Sequence, residues 1–245
     1  MEYVERHYRQ ITNPGNLIRF EVKIKESDLL IFAPDDFSDE TRAYLKDIRR
    51  ELEDYIRTEP VFLHSLLPVP IKKDMPPLAL LMAVSSSQVS VGPMASVAGA
   101  IAELTGRFIL NKLDDSLKEV IVENGGDIFM FTKKERNVLI FAGESPLSEK
   151  LAIKINRVNQ PLGICTSSAT VGPSKSFGIT DACVVVSGSA AFSDAAATAF
   201  GNMVKRPEDM KKVAEIAIKN PSVYGILIIV GDKIAVAGDI VLAKL

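Results

Sequence analysis

The sequence predicts an α+β fold built from duplicated units of helix plus antiparallel sheet. Three observations carry that expectation. Apolar runs of strand length recur on either side of turn signals, as in Tyr224–Val230, Gly231-Asp232-Lys233 and Ile234–Gly238. Other segments carry an apolar stripe at helical spacing. An order also repeats: a helix over 94–112 precedes a hairpin ending Ile140-Phe141-Ala142-Gly143, and helices over 190–219 precede one ending Ala235-Val236-Ala237-Gly238. The 245 residues are read as one domain, 1–245.

Each element has its own signal. Residues 3–11 are a strand candidate, and Asn13-Pro14-Gly15-Asn16 is a turn. Beyond it Ile18, Phe20, Val22 and Ile24 alternate with Arg19, Glu21, Lys23 and Lys25. That strand has one wet face, and the turn makes it half of a hairpin. Leu29–Phe32 is a third strand. Ser38 or Asp39 opens an amphipathic helix with Tyr44, Ile48, Leu52 and Tyr55 on one stripe, and Pro60 stops it. Five prolines, at 60, 68, 70, 76 and 77, make the next stretch an irregular connector. It holds His64, which like His7 is read as structural or solvent-exposed.

Residues 78–87 read as helical, and Gly92-Pro93 starts the next helix, with proline where a missing N–H costs nothing. Val120–Phe131 reads as a strand interrupted by Asn124-Gly125-Gly126-Asp127, which suggests a bulge or close ligand approach. Residues 133–137 then form a hairpin loop and 138–143 the return strand. Leu151–Ile155 and Gly163–Thr166 add strands, and 166–178 is a polar loop. A strand over 182–187 runs into a helix opening on Ser193-Asp194. Pro207 begins another, with Met210, Val213 and Ala217 on one stripe.

Composition excludes several roles. Hydrophobic residues are 47% and charged residues 24%, an ordinary globular balance. With 29 basic and 31 acidic residues the net charge is -2, which supplies no field for nucleic acid or an anionic membrane. Tryptophan is absent, so a stacking platform for single strands is not expected either. Cys165 and Cys183 each sit in an apolar run and read as buried thiols in a reducing compartment. The N-terminus does not read as a signal peptide, and no stretch is long and apolar enough for a membrane span. A cytoplasmic location is the expectation.

The chemistry is placed at Asp194 and Thr198. Four residues apart on a helix, a carboxylate and a hydroxyl stack on one face, and such hard oxygens suit magnesium or calcium. The competing reading makes Ser193 or Asp194 a helix cap and bonds Thr198 back to a carbonyl. Ala95, Ala98, Gly99 and Ala102 form a small-residue ridge. It serves either close packing on a sheet or backbone approach to a phosphate at the helix N-terminus. In the polar loop, hydroxyls and Lys175 either close over a phosphate or are simply solvated.

Four segments, in order, resemble the ApbE-type flavin transferase family. They are Gly92-Pro93-Met94-Ala95, Asn124-Gly125-Gly126-Asp127, Thr166-Ser167-Ser168, and Val184–Ala199 with Asp194 and Thr198 in place. The resemblance spans roughly residues 90–240. It implies an ApbE-like α+β fold, FAD as ligand and magnesium as metal. The implied activity is transfer of FMN from FAD onto a threonine of a protein acceptor. Carried over, the metal ligands are Asp194, Thr198 and the backbone at Ala95. The flavin site would be lined by Asn124, Gly125, Gly126, Asp127, Thr166, Ser167 and Ser168. Pyrophosphate cleavage does call for a cation and closely approaching backbone.

Two departures matter. The family's lysine after the alanine is Ser96 here. The family's histidine-bearing segment corresponds to Gly172–Asp181, which is shorter and holds no histidine. No catalytic residue is therefore assigned. The readings are a magnesium-dependent transferase, a flavin or nucleotide carrier that has lost transfer, or a scaffold that forms a homo-oligomer.

Overall fold

The computed structural model describes residues 15–156, 158–171 and 176–244. Among them, eight strands form one antiparallel sheet in the order β1-β2-β3-β4-β7-β8-β9-β10, and β11-β6-β5 form a second. β1 (Ile18–Ile24) turns Phe20 and Val22 inward and pairs with β2 (Ser27–Ala33), in register from Ile18↔Ala33 to Ile24↔Ser27. Its hairpin partner thus lies downstream, through a turn in which Lys25 takes a φ of 52°. The upstream candidate at 3–11 lies outside the described residues, as does Lys175.

α1 (Ser38–Thr58) buries Thr41, Leu45, Ile48, Leu52 and Tyr55, close to the expected stripe, and ends before Pro60. In the proline-rich connector the short α2 (Val61–His64) anchors Phe62, while His64 is exposed. α3 (Pro77–Ser87) follows, then a 3-10 turn over Pro93–Ser96 and α4 (Val97–Leu110).

The stretch 120–131 is a hairpin and not one interrupted strand. β3 (Val120–Asn124) and β4 (Asp127–Phe131) pair from Val120↔Phe131 to Asn124↔Asp127. Gly125 and Gly126 take φ of 68° and 99°, as a tight hairpin turn with the native twist requires. The strand expected after 133–137 also differs. β5 (Arg136–Leu139) leaves the main sheet and pairs with β6 (Leu151–Ile155), which also pairs with β11 (Leu242–Lys244). β4 pairs instead with β7 (Leu162–Ser167). The duplicated unit is therefore α4 with β3–β4, and α5 (Ala190–Met203) and α6 (Asp209–Ala217) with β9 (Val223–Val230) and β10 (Lys233–Gly238).

Both faces of the main sheet are covered. β8 (Ala182–Ser187) illustrates how a strand serves two cores. Cys183 and Val185 face Phe192, Ala196 and Phe200 of α5, while Ala182, Val184 and Val186 meet Ile153 and Ile155 of the small sheet. An unbroken apolar run is what a strand buried on both sides requires. In the other half of the helical layer, α1, α3 and α4 pack over β1 to β4.

Candidate functional site

The site forms where α4 and α5 begin side by side beneath the β3–β4 turn. α5 starts at Ala190, earlier than expected, and Ser189 is its cap: its hydroxyl accepts from the Phe192 amide at 3.2 Å. Neither Ser193 nor Asp194 caps it. Ser193 is buried one turn in, donating to the Gly163 carbonyl at 3.0 Å and sharing a 2.7 Å hydrogen bond with Ser187. Asp194 reaches across to the neighbouring helix, where its Oδ2 accepts from the Gly99 amide at 2.9 Å.

Glycines make this approach close. A Cβ on Gly99 would sit 2.2 Å from the Ala190 carbonyl oxygen and 2.8 Å from the Asp194 Cβ. One on Gly163 would lie 2.4 Å from Ala190 Cα. The ridge expected to pack on a sheet thus packs partly on a helix: Gly99 meets α5, while Gly106 meets Phe129 of β4. The amide of Gly99 is occupied by a carboxylate of the chain itself. It is therefore not free for a phosphate.

A second charged group locks the two helices. Glu103, buried on α4, accepts from the Ser189 hydroxyl at 2.6 Å and the Ala191 amide at 3.2 Å. Its other oxygen takes Arg107 at 2.8 Å. In the sequence its signal is a carboxylate amid Ala100, Ile101 and Ala102.

The β3–β4 turn closes over the same place. The buried Asn124 donates from its side chain to the Ala98 carbonyl at 3.1 Å. Asp127 is 6% exposed, and its Oδ1 is buried without a hydrogen-bond partner. Burial pushes its carboxyl well above the usual range, and the Asp194 charge pushes it further; the Cys165 thiol and the Thr166 amide pull it back. The Cys165 Sγ lies 3.2 Å from the Ala190 carbonyl oxygen, an alternative acceptor for its single proton. Asp194 is raised to about 7, chiefly by burial and against the pull of the Gly99 and Ala98 amides. Asp194 nonetheless keeps an edge toward solvent, as do Ala95, Ala98 and Thr198.

The structure therefore brings Asn124, Asp127 and Asp194 together. Thr198 lies one turn further along α5 and Ala95 in the 3-10 turn that packs on α5. Gly125 and Gly126 form the hairpin turn beside them. Thr166 and Ser167 end β7, half-buried. Ser168 is committed elsewhere: its hydroxyl accepts the Thr170 and Val171 amides of its own loop, at 3.1 and 3.0 Å.

A buried carboxylate beside a half-buried one, with no lysine or arginine against either among the described residues, is a costly arrangement for a bare site. A divalent cation would offset it. No cluster of three His, Cys, Asp or Glu side chains that could hold a metal occurs among the described residues. The expected ligands are instead a carboxylate, a hydroxyl and a backbone oxygen, chemistry that suits magnesium, an ion that keeps waters and shares a substrate phosphate. The residues fit the metal.

Known proteins agree with this architecture. A family model described as AbpE bacteria matches residues 9–233. A UPF0280 protein of Methanocaldococcus jannaschii is 39% identical over 224 residues, covering 89% of each chain. One of Methanothrix thermoacetophila is 40% identical over 195 residues, 79% of this chain and 80% of its own. Among solved structures, the apo flavinyl transferase ApbE of Pseudomonas stutzeri aligns with a TM-score of 0.59 at 12% identity, over 90% of this chain and 94% of that one. The ApbE protein of Thermotoga maritima aligns at 0.55 and 12%, over 91% and 97%. At those identities the likeness speaks for the fold alone. The match across most of the chain and the identity to the archaeal relatives establish that this protein belongs to the ApbE-like family of UPF0280 proteins.

Proposed function

We propose that this chain is a cytoplasmic, single-domain protein that binds FAD with magnesium and transfers FMN to a protein acceptor. The observation that carries the reading is Asp194, held by the Gly99 amide beside Asn124 and Asp127 with an edge open to solvent. Asp194, Thr198 and the Ala95 backbone would hold the cation. Asn124, Gly125, Gly126, Asp127, Thr166 and Ser167 would line the flavin nucleotide. A bound magnesium would neutralise charge developing on the pyrophosphate. The chain's own part is positional. The Gly99 and Ala98 amides orient Asp194, and Asn124 ties the nucleotide-facing turn to α4. In transfer, an acceptor hydroxyl oxygen would bond to the FMN phosphorus, the bond from that phosphorus to the bridging pyrophosphate oxygen would break, AMP would leave with that oxygen, and the hydroxyl proton would pass to solvent. The fold of flavinyl transferase neighbours and the two buried thiols of a reducing compartment support the reading.

A second reading, flavin carriage without transfer, is favoured by one observation: Gly172–Asp181 holds no histidine. Product analysis separates the two. Incubated with FAD, magnesium and lysate protein, the chain should release AMP and leave FMN on an acceptor. Retention of intact FAD with no AMP would select carriage. Asp194→Ala should abolish both AMP release and FAD retention, and unchanged behaviour in that variant would remove the metal-site reading.

A further inference from the structure

We propose that Asp127 is a second acidic ligand of the same cation, so that the chain binds a divalent metal before any nucleotide arrives. This rests on the metal-site reading above and extends it to a residue so far placed only along the flavin.

Several observations converge on Asp127. It leads β4 directly after the two-glycine turn and pairs with Asn124, whose side chain is tied to the Ala98 carbonyl. That fixes the turn against the start of α4, where Asp194 is also fixed. Its Oδ1 is buried and bonded to nothing, in a residue only 6% exposed. A buried, unsatisfied carboxylate oxygen is expensive, and although the Cys165 thiol and the Thr166 amide act on the Asp127 carboxyl, Oδ1 itself is left without a hydrogen bond. The nearest charge it feels is Asp194, which is like-charged and makes the deficit worse. A solvent-exchanging lysine or arginine would be the usual remedy, and none is paired with either carboxylate among the described residues.

Neighbouring acids have other duties. Glu103 is consumed by Ser189, Ala191 and Arg107. Glu123 accepts the Gly126 amide at 2.7 Å, which shapes the turn. Asp127 and Asp194 are what remains. Two carboxylates from different elements give the site a charge of opposite sign and equal size to that of a divalent ion. A site with one carboxylate would need the nucleotide's phosphates to complete its charge. A site with two would not.

The test is manganese binding to the nucleotide-free full chain, followed by electron paramagnetic resonance titration with manganese chloride alone. Wild type should bind one equivalent. Asp127→Asn and Asp194→Asn should each weaken that binding by roughly tenfold or more, since affinity follows ligand charge count. Asp127→Glu, which keeps the charge, should retain more binding than Asp127→Asn. Unfolding in EDTA at pH 8 is the control: Asp127→Asn removes a buried like charge and should leave the melting temperature unchanged or higher. If Asp194→Asn loses manganese and Asp127→Asn does not, this proposal fails while the metal site stands. If neither variant loses it, both fail. Absence of binding to nucleotide-free wild type also overturns the proposal. So does failure of both Asp127 variants to fold, because Asp127 would then be a structural residue.

Discussion

Asp194 and Asp127 make the stability of the molecule sensitive to pH. Burial raises both carboxyls above the ordinary aspartate range, Asp194 to about 7. At Asp194 the metal-free folded state therefore holds a proton that the unfolded chain has lost between about pH 4 and pH 7, and Asp127 acts in the same direction. Stability from these groups is fullest below that window and falls as pH rises through it. A cation binds the ionised form and opposes the fall. The gain in melting temperature from manganese over EDTA should be larger at pH 8 than at pH 5.5, measured by calorimetry. Equal gains at both values would mean that the cation does not meet these carboxylates. The residues of this pair were legible in the sequence as a helix-spaced Asp194 and Thr198 and as an acid after two glycines. Their bonding was not. Asp194's partner, Gly99, is 95 residues away, and nothing local to either residue announces it.

At the scale of elements, the close crossing of α4 and α5 sets the position of Asp194. Gly99 has no room for a methyl group: the obstacle at 2.2 Å is the Ala190 carbonyl, which is backbone and cannot swing aside. Gly99→Ala should separate the two helix starts, cost about 1–3 kcal/mol in urea unfolding, and weaken manganese binding in step. Normal stability with normal metal binding would show that the helices are not so tightly joined. The small residues of this ridge are visible in sequence, but neither a sheet nor a phosphate is what Gly99 meets: its neighbour is α5. Periodicity identifies a face without naming what it touches. The same ambiguity made Asn124–Asp127 look like an interruption within one strand. Two short apolar runs around two glycines fit either a bulge or a hairpin, and the pairing of β3 with β2 and of β4 with β7 decides between them. β5 was assigned to the wrong partner for a related reason. A strand's sheet is chosen by burial of the far face of β7, β8 and β9, which is a long-range property.

Over the whole molecule, the eight-stranded sheet carries helices on one face and the small sheet on the other. The site opens on the helical side, where the two copies of the duplicated unit meet: α4 and β3–β4 from the first, α5 from the second. Neither copy alone supplies the Asp127–Asp194 pair. No helix among the described residues is long and apolar enough to cross a membrane. The proposed function requires Asp194 to couple a metal to a flavin nucleotide. Equilibrium dialysis of FAD against the purified full chain, with magnesium and with EDTA, measures that coupling directly. Wild type should bind FAD in magnesium and lose it by roughly tenfold or more in EDTA, and Asp194→Ala should bind weakly in both. FAD binding that is indifferent to magnesium and to the substitution, or no binding under either condition, would contradict it.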